Sequence, residues 1–200
     1  MKIDLTEIYK GLAEWRAERG ITAESQKEGY IINIMEELGE LATALREYER
    51  FSKPSYPYPK NKKYAEHGII DAICDICVFT INAWDDLSCE VKPFILMPRV
   101  PRYEVNVADI FVAIADFIRT DNNRIPFNFY DFGLILHNCA SVCEHYGFNF
   151  EIAMMETIKE ISSRAGAYDE NAKKWVKDES DEARAKWYKA DYEKARIAQC

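Results

Sequence analysis

Hydrophobic residues recur at intervals of three and four along most of this chain, and this spacing is typical of amphipathic α-helices. Leu5, Ile8, Leu12 and Trp15 form the first such stripe, which Gly20 ends. Two-residue alternation, the pattern of a half-buried strand, is nearly absent, and residues 103–107 are its best candidate. The predicted helices span about residues 5–19, 22–48, 61–87, 107–118, 129–146 and 149–164, with a closing helix from 180 or 181.

Prolines and glycines separate these helices. Three prolines between residues 54 and 59 predict a stiff connector after the second helix, and three more between 93 and 101 break the chain again. Gly166 opens a segment that we predict to be irregular and basic. The whole pattern predicts an all-α helical bundle, formed as a single domain over residues 1–200.

The second predicted helix carries an acidic run beside its apolar stripe. Glu36 and Glu40 are one helical turn apart, and Glu37 lies one position round from Glu36. The stripe beside them consists of Ile34, Leu38, Leu41 and Leu45. Such an acidic face is ordinarily the solvated side of an amphipathic helix, so the run acquires a functional meaning only with a second feature.

A second acidic face lies on the third predicted helix. Asp71 and Asp75 are one turn apart, and Asn82 returns to the same face two turns later. Because the flanking residues are apolar, the carboxylates should be partly buried, where they require cations or protons. We expect the two acidic faces to pack against each other and to surround divalent cations. Ligands that are all oxygen favour Mg²⁺, with Mn²⁺ as a substitute.

Composition and charge narrow the possible partners. The formal net charge of -8 argues against binding to nucleic acid or to an anionic membrane surface, since both are held by basic patches. No apolar run is long enough to span a bilayer, and the N-terminus lacks the apolar region of a signal peptide. We therefore expect a cytoplasmic protein without a membrane partner.

Four of the six cysteines occur in pairs within apolar helices. Cys74 and Cys77 are spaced as C-x-x-C, and Cys139 and Cys143 as C-x3-C. Such thiols behave as small hydrophobic residues, so reduced cysteines in the core are the preferred interpretation. A zinc site built from these four residues is the alternative.

The acidic motifs resemble those of a known family. Residues 36–40, EELGE, match the E-E-x-x-E motif of the all-α nucleoside triphosphate pyrophosphohydrolases, the MazG-like superfamily. Residues 71–84, DAICDICVFTINAW, resemble its second motif helix, with Asp75 as the metal-binding aspartate and Asn82 as the asparagine seven residues later. The family usually has a glutamate at position 72, where this chain has Ala72, so that Asp71 or Glu66 would replace it.

The later part of the chain also resembles this family. Residues 146–166 are similar to its phosphate-contacting helix, in which Lys159 and Arg164 occupy the basic positions. The C-terminal part resembles phage-type members, and on that likeness Lys177 also faces the phosphates. The resemblance predicts a four-helix MazG-like core with a helical insertion at about 88–128 and a C-terminal helical extension from about 167.

The resemblance implies Mg²⁺-dependent hydrolysis of a (deoxy)nucleoside triphosphate to the monophosphate and pyrophosphate. Glu37 or Glu40 would position or deprotonate the attacking water. The implied metal ligands are Glu36, Glu37, Glu40, Asp71 and Asp75, and the implied substrate-binding residues are Asn82, Lys159, Arg164 and Lys177. It also implies a homodimer or homotetramer. The alternative is a catalytically silent helical binding or assembly module of the same fold.

Overall fold

Seven α-helices, a short 3₁₀ turn and one two-stranded sheet form the regular structure of the computed structural model, which describes residues 3–83, 106–122, 129–169 and 174–198. The all-α prediction is confirmed. The elements are α1 (Thr6–Arg19), α2 (Ala23–Phe51), α3 (Pro59–Ala83), α4 (Ala108–Asn122), α5 (Phe129–His145), α6 (Phe150–Ser163), β1 (Gly166–Asp169), β2 (Lys174–Lys177), α7 (Asp181–Arg184) and the 3₁₀ turn (Tyr192–Ala195).

Several helix ends lie at the residues that the sequence predicts. Gly20 follows α1 with φ of 62°, in the left-handed conformation that glycine adopts without steric cost. Gly147 follows α5 with φ of 80°. The Asn149 side chain caps α6, because its Oδ1 accepts a hydrogen bond from the Ile152 amide at 2.9 Å. These local signals are confirmed.

Helix α3 lies at the centre of the bundle. It contacts α1, α2, α5 and α6, and its second half is mostly apolar, as expected for a helix with neighbours on several sides. Ile69, Ile73, Ile76 and Ile81 are all fully buried along it. Polar side chains on this half of α3 are therefore close to packed hydrocarbon, which is the setting of Asp71 and of Asp75.

The four paired cysteines belong to this core. Cys74, Cys77, Cys139 and Cys143 are free thiols with no exposed surface, where α3 packs against α5. Burial raises the pKa of the Cys77 thiol well above its usual value, which keeps it neutral. All four residues are described, and they do not form a group arranged to hold a metal ion. The preferred interpretation, reduced cysteines in the core, agrees with these free and buried thiols.

Helices α2 and α3 form an antiparallel hairpin through the connector at residues 52–58. They approach closely at Gly68, where an added Cβ would lie 3.3 Å from the Ala44 Cβ. Glu37 lies seven residues before Ala44, and Asp75 lies seven residues after Gly68. Because the helices run in opposite directions, these equal offsets bring Glu37 opposite Asp75.

The segment after α6 differs from the prediction. Strands β1 and β2 pair as an antiparallel hairpin in which Tyr168 is opposite Trp175, so the prediction of an irregular segment is wrong. The Trp175 ring packs against the Arg19 guanidinium, whose central carbon is 5.1 Å from the ring centroid. An added Cβ at Gly166 would lie 2.3 Å from the same ring, so only glycine permits this packing.

The predicted closing helix is also wrong beyond its first turn. Helix α7 covers only four residues, although Ser180 caps it as expected by accepting a hydrogen bond from the Ala183 amide at 3.2 Å. Residues 187–197, called the C-terminal strap from here on, instead cross α6 and α3. The Asn149 amide donates to the Ala195 carbonyl at 2.7 Å, and the Ile197 amide donates to the Gly147 carbonyl at 2.8 Å. These tertiary hydrogen bonds override local helix propensity.

Other sequence predictions fall partly outside the described residues. These are the strand candidate at 103–107, the end of the third helix at 84–87, and the insertion at 88–128 except for α4, which packs on α5. Within the described ranges, no helix has the length and apolar character needed to cross a membrane.

Candidate metal centre

A groove of about 580 Å³ is lined by residues of α2 and α3. Two glycines lie along it: an added Cβ at Gly39 would meet no described atom within 4 Å, and one at Gly68 would lie 3.3 Å from the Ala44 Cβ. The groove is lined by Glu36, Gly39, Glu40, Thr43, Ala44, Glu47, Gly68 and Asp71. Three of the predicted ligands therefore share one solvent-accessible space. Glu47, which the sequence analysis did not select, adds a fourth carboxylate.

Two further carboxylates lie deeper between the helices. Burial, followed by the charges of Glu40, Asp71 and Glu36, raises the pKa of Glu37 to about 7. Burial, followed by the charges of Asp71 and Glu37, raises the pKa of Asp75 well above its usual value. Glu37 Oε2 is buried and has no hydrogen-bond partner among the described residues. The charges of Glu36, Glu40 and Asp71, which line the groove, thus act on the two deeper carboxylates.

Asp71, and not Glu66, is the carboxylate that α3 adds to the groove. Glu66 accepts a hydrogen bond from Arg196 at 2.9 Å and is occupied by that ion pair. Ala72, where the family motif has a glutamate, is 1% exposed and belongs to the core. Asp71 lines the groove, and its Oδ1 accepts a hydrogen bond from the Tyr192 hydroxyl at 2.6 Å. Burial raises the pKa of Asp71, while this hydrogen bond acts to lower it.

Two cations lie near the carboxylates, and only one of them was predicted. The Arg164 charge acts to lower the pKa of Glu37, Asp71 and Asp75, and its guanidinium contacts Glu160 at 3.0 Å. Lys189, on the C-terminal strap, acts on Asp71 in the same direction and lies 3.7 Å from a Glu160 carboxylate oxygen. No motif marks Lys189, because the strap reaches this position only through the tertiary fold.

None of the four predicted substrate-binding residues lines the groove, and Arg164 is related to its carboxylates through its charge alone. Asn82 is fully buried, and its Oδ1 accepts a hydrogen bond from Arg16 Nη1 at 3.3 Å, where α3 meets α1. The Lys159 ammonium lies 3.9 Å from the centroid of the Tyr188 ring. Lys177 is an exposed residue of β2. Among the predicted basic residues, the structure therefore brings only Arg164 to the carboxylates.

The donor chemistry of the cluster fits a hard divalent cation. Its ligand atoms are all carboxylate oxygens, which suit Mg²⁺ or Mn²⁺, and the unpaired Glu37 Oε2 is a buried acceptor of the kind that a cation satisfies. Within the described part of the chain, no three His, Cys, Asp or Glu side chains are already arranged around a single metal position. Binding of a cation would therefore require these side chains to change conformation.

Comparison of the chain with protein-family models, with curated proteins and with solved structures finds no match in any of the three. The basis for a functional assignment is consequently the chain's own motifs and the geometry of the groove.

Proposed function

We propose that this chain is a Mg²⁺-dependent nucleoside triphosphate pyrophosphohydrolase of the MazG-like kind, which cleaves a (deoxy)nucleoside triphosphate to the monophosphate and pyrophosphate. The observation that supports this most directly is the meeting of two acidic helical faces across one groove. Glu36, Glu37 and Glu40 come from α2, and Asp71 and Asp75 come from α3. A homodimeric or homotetrameric state and a cytoplasmic location remain predictions from the sequence.

Divalent cations held by these carboxylates would neutralise the triphosphate and polarise the reacting phosphoryl group. The chain's own residues would do the rest. Glu37 Oε2, which has no other described hydrogen-bond partner, is a suitable acceptor for a proton of the attacking water, with Glu40 as the alternative. The water oxygen forms a bond to the α-phosphorus, and the bond from that phosphorus to the bridging oxygen breaks. The electron pair of that bond leaves with the pyrophosphate.

Charge on the departing pyrophosphate requires nearby cations. Among the described residues, the charges of Arg164 and Lys189 act on the groove carboxylates, so they support this role better than Lys159 or Lys177. Arg164 is oriented by Glu160, whose Oε1 accepts a hydrogen bond from its Nη2 at 3.0 Å. An arginine held in this way presents its remaining donors in a fixed direction, which suits phosphate oxygens.

A panel of nucleotides tests the proposal. The full chain would be incubated with each of the four deoxynucleoside and four ribonucleoside triphosphates in the presence of Mg²⁺, and both products would be identified. We expect monophosphate and pyrophosphate in equal amounts with at least one nucleotide, and none of either when a chelator replaces Mg²⁺. Release of orthophosphate and a nucleoside diphosphate would contradict the proposal, because a different bond would then be broken.

A catalytically silent module of the same fold is the second candidate. Two observations favour it: position 72 has lost the motif glutamate, and the described carboxylates are not already arranged around one metal position. It predicts that folded protein releases no pyrophosphate from any nucleotide in the panel. Retention of all five carboxylates in one cluster is the reason for placing the enzyme first.

A further inference from the structure

The C-terminal strap reaches the candidate metal centre from the side of α6. Tyr192 begins its 3₁₀ turn, and this side chain is only 4% exposed. Its hydroxyl lies 2.6 Å from Asp71 Oδ1 on α3 and 2.9 Å from Thr157 Oγ1 on α6. Asp71 thus lines the groove and also accepts a hydrogen bond from Tyr192, which is 121 positions later in the chain.

The direction of these hydrogen bonds follows from counting hydrogens. An ionised carboxylate can only accept, so the single hydroxyl hydrogen of Tyr192 goes to Asp71. The contact between Tyr192 and Thr157 then uses the hydroxyl hydrogen of Thr157, which is shared between the Tyr192 oxygen at 2.9 Å and the Ala153 carbonyl at 3.2 Å. The result is a chain from Thr157 to Tyr192 to Asp71, in which each hydrogen bond polarises the next.

The position of the Tyr192 ring does not depend on its hydroxyl. On one side the Ala190 amide donates to Glu160 at 2.8 Å and the Asp191 amide donates to Glu156 at 3.0 Å. On the other side the Glu193 carboxylate contacts His67 at 2.7 Å. Removing only the hydroxyl should therefore leave the strap and the buried ring in place.

We propose that Tyr192 is a positioning residue for the metal centre. By holding Oδ1 of Asp71 it fixes the carboxylate and leaves Oδ2 as the oxygen available to a divalent cation in the groove. Partners of this kind, which bind a metal ligand without touching the metal, orient the ligand, and their loss typically weakens metal binding about 10- to 100-fold. The inference rests on the proposed function, since it concerns the same groove.

Tyr192→Phe in the full chain tests this inference, with Mn²⁺ as the probe and the unbound Mn²⁺ measured by electron paramagnetic resonance. We expect Tyr192→Phe to weaken Mn²⁺ binding about 10-fold relative to the wild type. Tyr188→Phe is the matched control, because it removes the same atom from the same strap, but that hydroxyl donates to Glu156 and not to a groove carboxylate. We expect the control to change the Mn²⁺ affinity by less than about twofold.

Thr157→Val provides a second measurement that does not alter the tyrosine, and it should weaken Mn²⁺ binding by about two- to threefold. Thermal denaturation without metal identifies any variant that has failed to fold. If Tyr192→Phe does not fold, the Mn²⁺ affinity of Thr157→Val decides. The inference would be overturned if Tyr192→Phe bound Mn²⁺ as tightly as the wild type or more tightly. The same holds for wild-type affinity in Thr157→Val where that variant decides. Absence of Mn²⁺ binding by the wild type would also overturn it. Wild-type protein that binds Mn²⁺ but releases no pyrophosphate would contradict only the proposed function.

Discussion

The acidic clusters on α6 and in the α2–α3 groove contain the same kinds of side chain in opposite electrostatic surroundings. On α6, Glu156 accepts hydrogen bonds from the Tyr188 hydroxyl, the Asp191 amide and the Lys194 ammonium. Burial acts to raise the pKa of Glu156, but these hydrogen bonds outweigh it and the pKa is lowered. The pKa of Glu160 is lowered in the same manner, by the Ala190 amide and two cations.

The groove has the reverse arrangement. Burial and the charges of neighbouring carboxylates raise the pKa of Glu37 and of Asp75, and the Arg164 charge offsets this only in part. Buried polar groups normally have partners, so the α6 cluster is complete within the chain and is structural. The groove cluster holds excess negative charge, which is the property expected of a site that binds cations. The number of acidic residues does not distinguish the two regions, whereas their partners do.

The largest expected effect is on turnover. Asp75→Asn and Glu40→Gln each remove a groove charge, and we expect each to reduce pyrophosphate release by at least about 100-fold. The midpoint of thermal unfolding should stay unchanged or rise, because repulsion between carboxylates is relieved. Steady-state kinetics and thermal denaturation of the same preparations measure both quantities. A variant with near wild-type turnover would exclude its residue from the site.

The complementary change is made on α6. Glu156→Gln weakens charge-assisted hydrogen bonds in the structural cluster, so we expect the free energy of unfolding to fall by about 2 kcal/mol. Turnover at a temperature where the variant is folded should stay within about threefold of the wild type. Urea denaturation gives the first quantity and the pyrophosphate assay gives the second. Full stability in this variant would show that the α6 cluster does not support the strap.

The smallest effect is a difference in pH dependence. Glu37 has a pKa of about 7 in the folded chain against 4.5 for the ordinary side chain, so the native state holds this proton more tightly. The stability that protonation contributes is complete below about pH 4.5 and is lost as the pH rises through about 7. The contribution of this proton to the free energy of unfolding is at most about 3 kcal/mol, since solvent around the partly exposed side chain reduces it. Urea denaturation without divalent cations, at pH 5 and at pH 8, should show a larger fall for the wild type than for Glu37→Gln.

One further measurement, made with saturating Mg²⁺, relates this pH effect to the comparison of the two acidic clusters. Saturating Mg²⁺ should reduce the difference between the wild type and Glu37→Gln in the pH 8 sample, since a cation replaces the proton. Glu193 provides the opposite case, because hydrogen bonds from His67 and Arg196 lower its pKa to about 2. Its contribution to stability is present above about pH 4.5 and is lost as the pH falls towards 2. Identical pH dependence in the wild type and in Glu37→Gln would mean that Glu37 is not perturbed in solution.

Local sequence patterns were sufficient to predict most of the helices and the acidic residues of the candidate site. The apolar stripe at Ile34, Leu38 and Leu41 is buried as predicted, and Asn149 caps α6. The acidic faces of α2 and α3 meet because a helix of 3.6 residues per turn and a short connector leave few other packings. The reason is physical: periodicity and capping depend on residues within four positions of each other, and the sequence displays those directly.

Only the tertiary structure revealed the C-terminal strap and the β1–β2 hairpin. It also revealed the residues that the strap adds to the candidate site. Tyr192 contacts Asp71 across 121 positions, and the Lys189 charge acts on the same carboxylate because the strap leaves the helical path. Asn82 shares a motif with Asp75, but its amide oxygen is paired with Arg16 on α1. The amino-acid sequence by itself thus indicated helices α1 to α6 and the faces of α2 and α3 that carry charge. The packing of distant segments decided which charges have partners, because that depends on contacts that no local spacing records.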